Sequence, residues 1–211
     1  MQAKDDARKL VRKVLREYPN PKPTLDFSNG LELLVAAILA AQCTDERVNQ
    51  VTKGLFEKYP DAEAYAKAKQ SQLEKEVKST GFFRQKAKAI REMCAALMER
   101  HGGEVPKTMD ELTALPGVGR KTANMVLGDG FGIPGIIVDT HVKRVSGRTG
   151  LTDETNPDKI EVDLQGVVPK KSWTAFSHAV MAHGRAICVA RKPHCSRCPL
   201  RKLCPYESPS D

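Results

Sequence analysis

Two side chains near the middle of the chain, Lys121 and Asp139, could act together on a phosphate-bearing partner. A turn at residues 115–119, with glycines at 117 and 119, precedes Lys121. Glycine adopts backbone angles closed to other residues, so such a turn lets a large anion approach the main chain. A helix starting after it would add unpaired amides and the positive end of its dipole. The segment therefore indicates a phosphate-binding hairpin with an amine in its first helical turn and a carboxylate beyond a Gly/Pro-rich loop.

Each of these two side chains also has a simpler interpretation. Lys121 could be a plain phosphate contact. Asp139 fits the N-cap of a helix that continues through Val145, because aspartate accepts hydrogen bonds from first-turn amides. The cap and a chemical role are compatible, since a cap fixes the position of a carboxylate.

Four cysteines near the end of the chain have the spacing C-x6-C-x2-C-x5-C. They are Cys188, Cys195, Cys198 and Cys204. Four thiolates on a short loop bind either Zn²⁺ or an iron–sulfur cluster, and the ligand type alone does not decide between them. A single CxxC with unequal outer gaps is not the paired-CxxC pattern of a zinc ribbon. Cys43 and Cys94 lie in helical patterns and are expected to be buried side chains rather than ligands.

The composition of the chain favours an anionic partner. Its 211 residues include 34 Lys and Arg against 26 Asp and Glu, a formal net charge of +8. Such an excess attracts polyanions, although a basic protein without such a partner has a similar composition. No apolar run approaches the roughly 20 residues that cross a bilayer, and the start, MQAKDDARKL, lacks the apolar core of a signal peptide. We therefore expect a cytoplasmic protein with reduced cysteines and no membrane partner.

Helices must position these residues. Apolar residues recur at helical spacing between the glycine and proline breaks, and no pair of strands is in view. We expect Ser28, Thr44 and Thr108 to cap helices and Pro157 to start one. Residues 136–138 could be mistaken for a strand but are interpreted as a buried crossover. The predicted fold class is all-α, with a helix directly after the hairpin and others at residues 3–18, 31–41, 45–58, 62–68, 71–79, 85–100, 109–115, 141–147, 157–167 and 172–188.

These features together resemble the endonuclease III family, the bifunctional DNA glycosylases of the helix-hairpin-helix superfamily. The resemblance is carried by the hairpin with its continuation at residues 120–124, by residues 138–142 and by the cysteine spacing. It extends from about Leu31 to Cys204. The hairpin alone also occurs in non-catalytic DNA-binding proteins, so its combination with Lys121, Asp139 and the four cysteines is the specific signal.

The resemblance implies two helical domains. A six-helix barrel domain with the hairpin would span residues 24–136. Residues 1–23 and 137–211 would form an iron–sulfur cluster domain, with a DNA cleft between the two. The four cysteines would hold a [4Fe-4S] cluster. The basic residues of segment 185–202 would offset the charge of the cluster and face phosphate, or would be solvated charges without a DNA role.

The resemblance also implies a base-excision-repair DNA glycosylase with AP-lyase activity on oxidised pyrimidines. After the damaged base is flipped out, the Lys121 amine would attack C1′, displace the base and leave a Schiff base that permits β-elimination of the 3′ phosphate. At neutral pH only roughly one lysine in a thousand is uncharged. Desolvation, the helix start and Arg120 would favour the neutral amine, while Asp139 could accept its proton and stabilise positive charge at C1′.

Further DNA contacts follow from the same resemblance. Gln42 matches the glutamine that fills the gap left by the flipped base, or is an exposed residue at a helix end. Phe82, Phe83 and Arg84 lie where the family has its wedge loop but depart from the residues expected there; an aromatic ring could stack on the orphaned base or pack under the loop. His141 would contact phosphate. The hairpin contacts would come from Leu115, Gly117, Val118 and Gly119.

Three rival interpretations remain open at this level. An adenine-mismatch glycosylase shares the cluster but lacks the lysine, and a thymine-mismatch glycosylase has tyrosine where Lys121 stands. A non-catalytic DNA-binding module would need only the hairpin and a structural metal. Under the preferred interpretation we expect a monomer, associated with the nucleoid, whose partner is damaged double-stranded DNA.

Overall fold

The computed structural model describes residues 4–19 and 21–207, and all regular elements within these ranges are helical. This confirms the predicted all-α class. Short 3₁₀ or π turns occur at Lys78–Thr80, Val126–Gly130, Lys170–Ser172, Cys195–Arg197 and Arg201–Leu203. The α-helices are α1 Lys4–Glu17, α2 Gly30–Leu39, α3 Asp45–Lys58, α4 Ala62–Lys67, α5 Gln70–Glu76, α6 Phe83–His101, α7 Met109–Thr113, α8 Arg120–Met125, α9 Thr140–Arg148, α10 Pro157–Val167 and α11 Trp173–Ala186.

The helix ends follow local capping chemistry. Thr44 caps α3 and Thr108 caps α7 as predicted, each accepting a hydrogen bond from a first-turn amide. Pro157 occupies the first turn of α10, where its missing N–H costs nothing. The first predicted helix began at Ala3, which lies outside the described residues.

The predicted cap at Ser28 is wrong by one residue. Asn29 is the N-cap of α2, and its side chain accepts from the amide of Glu32 at 2.9 Å. Ser28 instead donates, through its amide and its hydroxyl, to the Glu32 carboxylate. This reciprocal arrangement satisfies more of the free amides at the helix start than a serine cap alone would.

One compact unit spans Pro23–Gly132 and contains α2 to α8. Helix α2 lies in the middle of its core, with Leu33, Leu34 and Leu39 fully buried. This placement follows from its sequence, which is apolar on nearly all sides. Helix α6 packs against α2, α4 and α5, and α7 packs against α8.

The other compact unit combines the residues before Pro23 with those from Ile133 onward. Helix α1 packs on α10 and α11 through one apolar face, which includes Leu10 and Val14, and α9 packs on α11. The family resemblance implies domain boundaries at residues 24 and 136, and the contacts divide the chain at residues 23 and 133.

The crossover at residues 136–138 is buried and irregular, as predicted. Gly135, Ile136 and Ile137 are buried, so their backbone amides need partners inside the protein. Helix α11 supplies hydroxyl groups for two of these amides: Ser177 Oγ accepts from the Ile137 amide at 2.9 Å, and Thr174 Oγ1 accepts from the Gly135 amide at 3.3 Å. The segment that leads to Asp139 is therefore fixed to α11.

None of the helices in the described ranges has both the length and the apolar character of a membrane span.

Candidate functional site

The hairpin consists of α7, the turn at residues 115–119 and α8. Leu115 and Val118 are buried and anchor the turn in the core. Gly117 and Gly119 are exposed, and Gly117 has a φ of 76°. A Cβ on Gly117 would lie 3.3 Å from that of Ala89, so both the backbone and the space require glycine. Gly119 is the N-cap of α8 and contributes no side-chain cap, which leaves the helix start open to an external acceptor.

Lys121 and Asp139 each occupy a defined place in their own unit. Lys121 lies in the first turn of α8, and its side chain is exposed. Asp139 is half-buried and is the N-cap of α9, where its Oδ1 accepts from the Val142 amide at 2.7 Å. The predicted capping role of Asp139 is thus confirmed, and one carboxylate oxygen is held in place by it.

Gln42, Phe82 and the hairpin turn line one open cavity of about 360 Å³, which Gly117 and Thr122 border. Gln42 has a φ of 54° and Phe82 a φ of 47°. Left-handed conformations at non-glycine residues cost of order 1–3 kcal/mol and persist where the surrounding structure holds them, often at functional sites. The Phe82 side chain is also 57% exposed. Two exposed residues with strained backbone conformations therefore line the same cavity as part of the hairpin turn.

The two phenylalanines of the predicted wedge loop differ in their surroundings. Phe83 is half-buried and packs against the core, and the Arg84 guanidinium lies 5.5 Å from the centre of its ring. Phe82 projects instead into solvent. Only Phe82 is thus available for stacking without rearrangement.

His141, a predicted phosphate contact, lies against α11. Its Nδ1 is 3.1 Å from Arg144 Nη2, and its side chain packs on Gly184. Burial lowers the pKa of His141, and the nearby Arg144 and Arg185 lower it further, while Asp139 raises it. A neutral histidine can still donate one hydrogen bond to phosphate, but it adds no charge.

The four C-terminal cysteines line a single small cavity. In the part of the chain that the structure describes, no three His, Cys, Asp or Glu side chains are grouped to hold a single metal ion. A multi-iron cluster needs sulfurs that surround a space, because each thiolate binds a different iron atom. The cysteine arrangement fits such a group. Cys94 is fully buried, as predicted, whereas Cys43 is only half-buried against the core. Neither of them lines this cavity.

Two residues around this cavity were missed by sequence reasoning. Arg148, at the end of α9, donates to the carbonyls of Val189 and Ala190, each at 2.8 Å, and lies 3.5 Å from Cys188 Sγ. His183 on α11 is buried, with Nε2 at 3.6 Å from Cys198 Sγ. Arg148 is 40 positions from Cys188, so no local pattern marks it. His183 is close to the first cysteine in sequence, but it lies in an ordinary helical pattern that does not mark a contact with Cys198, 15 positions away.

Comparisons with known proteins agree with this geometry. The family model described as "HhH-GPD superfamily base excision DNA repair protein" matches residues 35–170. The model for the iron–sulfur binding domain of endonuclease III matches residues 188–204, which include all four cysteines. An iron–sulfur cluster is therefore the cofactor of this chain.

Individual relatives point the same way. Endonuclease III of Synechocystis sp. is 51% identical over 203 residues, covering 96% of this chain and 93% of the relative. A structure described as a trapped endonuclease III–DNA covalent intermediate in an estranged-adenine complex superimposes with a TM-score of 0.93 at 42% identity, covering 97% of both chains. A thermostable thymine-DNA glycosylase superimposes with a TM-score of 0.89 at 27% identity, covering 97% of this chain and 98% of the other. The chain belongs to the HhH-GPD superfamily of base excision DNA repair proteins and, within it, to the endonuclease III family.

Proposed function

We propose that this protein is a base-excision-repair DNA glycosylase with AP-lyase activity, which removes oxidised pyrimidines through a Schiff base on Lys121. One observation carries this proposal. Lys121 stands exposed at the start of the hairpin helix, in a chain 42% identical to a protein trapped as a covalent intermediate with DNA. An exposed primary amine beside a phosphate-binding turn is the nucleophile that such an intermediate requires.

Docking begins at the hairpin. The main chain at Gly117 and Gly119 and the amides that begin α8 would hold a phosphate of the damaged strand. These contacts are independent of base sequence, so they place the protein on any duplex. The net charge of +8 speeds arrival and makes it salt-dependent.

Recognition of damage follows from unstacking. A damaged nucleotide leaves the stack at a cost of a few kcal/mol, which is lower than for an intact pair. Gln42 would enter the gap and Phe82 would stack on the orphaned base. The cavity that both residues line supports this joint role. Phe83, Arg84 and His141 would add contacts at the edges of the bound strand.

The chemical step replaces the glycosidic bond at C1′ with a bond to the Lys121 amine. The uncharged Lys121 amine bonds to C1′ as the glycosidic bond breaks and the base leaves with the bonding electrons. After the amine loses a proton, its lone pair forms the C1′=N bond as the C1′–O4′ bond breaks, and O4′ takes up a proton to leave the open-chain Schiff base. Removal of a C2′ proton then expels the 3′ phosphate. Asp139 would take the amine proton and stabilise positive charge at C1′. Since Lys121 is exposed in the free protein, the docked DNA must displace the water around its ammonium.

The remaining assignments concern the two compact units. Residues 23–132, with α2 to α8, would be the domain that carries the hairpin, and the unit with α1 and α9 to α11 would be the cluster domain. A [4Fe-4S] cluster would be held by Cys188, Cys195, Cys198 and Cys204. Its thiolate–iron bonds would close the loop that contains the basic residues of segment 185–202, so that these residues face DNA. We further propose that the protein acts as a monomer on damaged double-stranded DNA in the cytoplasm.

A thymine-mismatch glycosylase is the second candidate, favoured by the likeness to the thymine-DNA glycosylase structure. That class resembles this chain but has tyrosine where Lys121 stands. A tyrosine cannot form a Schiff base, so the lysine favours the lyase.

Borohydride trapping tests the proposal. The cluster-bearing protein is mixed with a duplex that contains one abasic site, and borohydride reduces any Schiff base to a stable adduct. We expect an adduct with the unmodified protein and with Lys53→Gln, an exposed control on α3, but none with Lys121→Gln. An adduct that persists in Lys121→Gln would refute the assigned nucleophile, and absence of any adduct would refute the lyase activity.

A further inference from the structure

Lys86 is a buried lysine near the start of α6 whose ammonium group binds main-chain carbonyls. The residue is 5% exposed. Its Nζ donates to the carbonyl oxygen of Leu39 at 2.8 Å and to that of Thr80 at 2.6 Å. Burial lowers the pKa of Lys86, an effect that nearby Cys43 opposes. Burying an amine is costly unless it is hydrogen-bonded, so these two carbonyls explain how the amine is tolerated there.

Both carbonyls end a helical segment shortly before a left-handed residue. Leu39 is the last residue of α2, three positions before Gln42. Thr80 ends the 3₁₀ turn Lys78–Thr80, two positions before Phe82. The Lys86 side chain therefore links the turn before Gln42 with the turn before Phe82. These turns are far apart in sequence, and each leads to a residue with a left-handed backbone conformation.

We propose that Lys86 is a positioning residue that fixes the turns carrying Gln42 and Phe82, so that both side chains enter the duplex together. This inference rests on the proposed function, because it requires that these two residues enter DNA. The shared cavity of about 360 Å³ supports it, since Lys86, Gln42 and Phe82 all line that cavity. The main-chain amide of Lys86 adds a third link by donating to the Phe82 carbonyl at 3.1 Å.

The chemistry of the link requires a compact cation. Carbonyls at the ends of helical segments carry partial negative charge, and an ammonium offers three donors from a single point. Methionine has a similar length but no donor, so it would leave both carbonyls without this partner. Turns that are held in advance also lose less conformational freedom when DNA binds. Lys86 would thus act on the selectivity for damaged DNA rather than on the reaction at C1′.

The test compares two substitutions on α6 in the cluster-bearing protein. Lys86→Met removes the link, and Lys88→Met changes a lysine whose side chain is 68% exposed on the same helix. Affinities are measured for a duplex with a tetrahydrofuran abasic analogue and for the undamaged duplex. We expect Lys86→Met to weaken binding of the abasic duplex about 10- to 100-fold, as the loss of hydrogen bonds to a charged group implies. Binding of the undamaged duplex should stay unchanged, and Lys88→Met should change neither affinity.

A second comparison separates positioning from general folding. Lys86→Met is combined with Gln42→Ala and Phe82→Ala. Because the residues through which Lys86 acts are then absent, we expect the triple variant to be as selective as the Gln42→Ala/Phe82→Ala double variant. Equal weakening of binding to both duplexes by Lys86→Met alone, or a further loss of selectivity when Lys86→Met is added to the double variant, would overturn the proposal.

Hydrogen exchange on the unmodified protein tests the inference even if Lys86→Met does not fold. The Cys43 and Gly81 amides close the two turns by donating to Ala40 and Lys78 carbonyls. We expect both amides to be protected in the absence of DNA, and exchange at the rate of an unstructured peptide would overturn the inference. Failure of the proposed function is distinguishable, since it appears as absence of the borohydride adduct in the unmodified protein.

Discussion

The carboxylate of Asp139 accepts a hydrogen bond from the Val142 amide at 2.7 Å and so caps α9. Asparagine caps a helix about as well as aspartate but has no charge and no basic oxygen. We therefore expect Asp139→Asn to keep its thermal stability and its affinity for damaged DNA while turnover falls on the order of 10²- to 10⁴-fold. Single-turnover base release from a duplex with one oxidised pyrimidine measures this.

A matched control for this substitution exists in α4. Asp61 is the N-cap there and accepts from the Ala64 amide at 2.7 Å. Asp61→Asn makes the same chemical change at a cap outside the proposed site, so neither stability nor turnover should fall. Undiminished turnover in Asp139→Asn would contradict the role given to that carboxylate.

The hairpin glycines should differ in what they tolerate. Gly117 has a φ of 76°, a conformation that costs an L-residue about 1–2 kcal/mol. Gly119 has a φ of −91°, and a Cβ there would meet open space. We expect Gly117→Ala to lower the free energy of unfolding by at least this amount and Gly119→Ala to change it little, as measured by denaturant unfolding. Equal effects of the two substitutions would contradict the conclusion that the conformation at Gly117 requires glycine.

Arg148 should stabilise the cysteine loop through the shape of its guanidinium. Besides its bonds to the loop carbonyls, it lies 4.7 Å from the centre of the Tyr206 ring. Arg148→Lys keeps the charge but loses the planar fork, so we expect a loss of about 2 kcal/mol of stability and faster bleaching of the cluster's visible absorption. Arg191 is exposed in the same loop, so in Arg191→Lys the visible absorption of the cluster should bleach as slowly as in the unmodified protein. If both variants bleach alike, the contacts of Arg148 do not hold the loop.

The iron–sulfur cluster can be tested by metal analysis and visible absorption. The purified protein should contain about four iron atoms and matching sulfide per chain and absorb visible light. Cys198→Ser should lose this absorption and most of its affinity for DNA, since the loop would no longer be closed. Cys43→Ser, which changes a half-buried cysteine that does not line the cavity, should retain the absorption. Stoichiometric zinc without visible absorption would contradict the cluster assignment.

Cys94 should make the protein less stable in alkali. Burial raises the pKa of its thiol from 9.0 to about 12. Between these values the unfolded chain releases a proton that the folded chain retains, so the free energy of unfolding falls as pH rises, by up to about 1.4 kcal/mol per unit. Below pH 9 this contribution is fully present. In Cys94→Ala, the free energy of unfolding should decline less steeply between pH 9 and 11 than in the unmodified protein. An identical pH dependence in the two proteins would contradict the raised pKa of Cys94.

Local chemistry explains why much of the fold could be predicted from the sequence. Thr44, Thr108 and Pro157 mark helix starts because capping depends on a few neighbouring residues. The hairpin and the cysteine loop are likewise contiguous. The predicted helix over residues 31–41 ends early, at Leu39, because the chain must turn before the left-handed Gln42, and that conformation is not marked by any local pattern.

The parts that could not be predicted depend on contacts between distant residues. Lys86 and Leu39 are 47 positions apart, and Arg148 and Cys188 are 40 apart. Phe82 and Phe83 are adjacent and chemically identical, yet Phe82 is left-handed and exposed while Phe83 packs against the core. A pattern of residue types contains neither kind of information, so the partners of a candidate site are harder to predict than the site itself.

The hydroxyls of Thr174 and Ser177, which hold the crossover before Asp139, have a consequence for motion. An acid at the end of a freely swinging tether would sample many orientations, and each turnover would wait for the right one. Here the segment before Asp139 is hydrogen-bonded to α11 at Gly135 and Ile137, which restricts the orientations that the carboxylate can take. Substitutions along α11 can therefore change the position of the Asp139 carboxylate while Asp139 itself is unchanged.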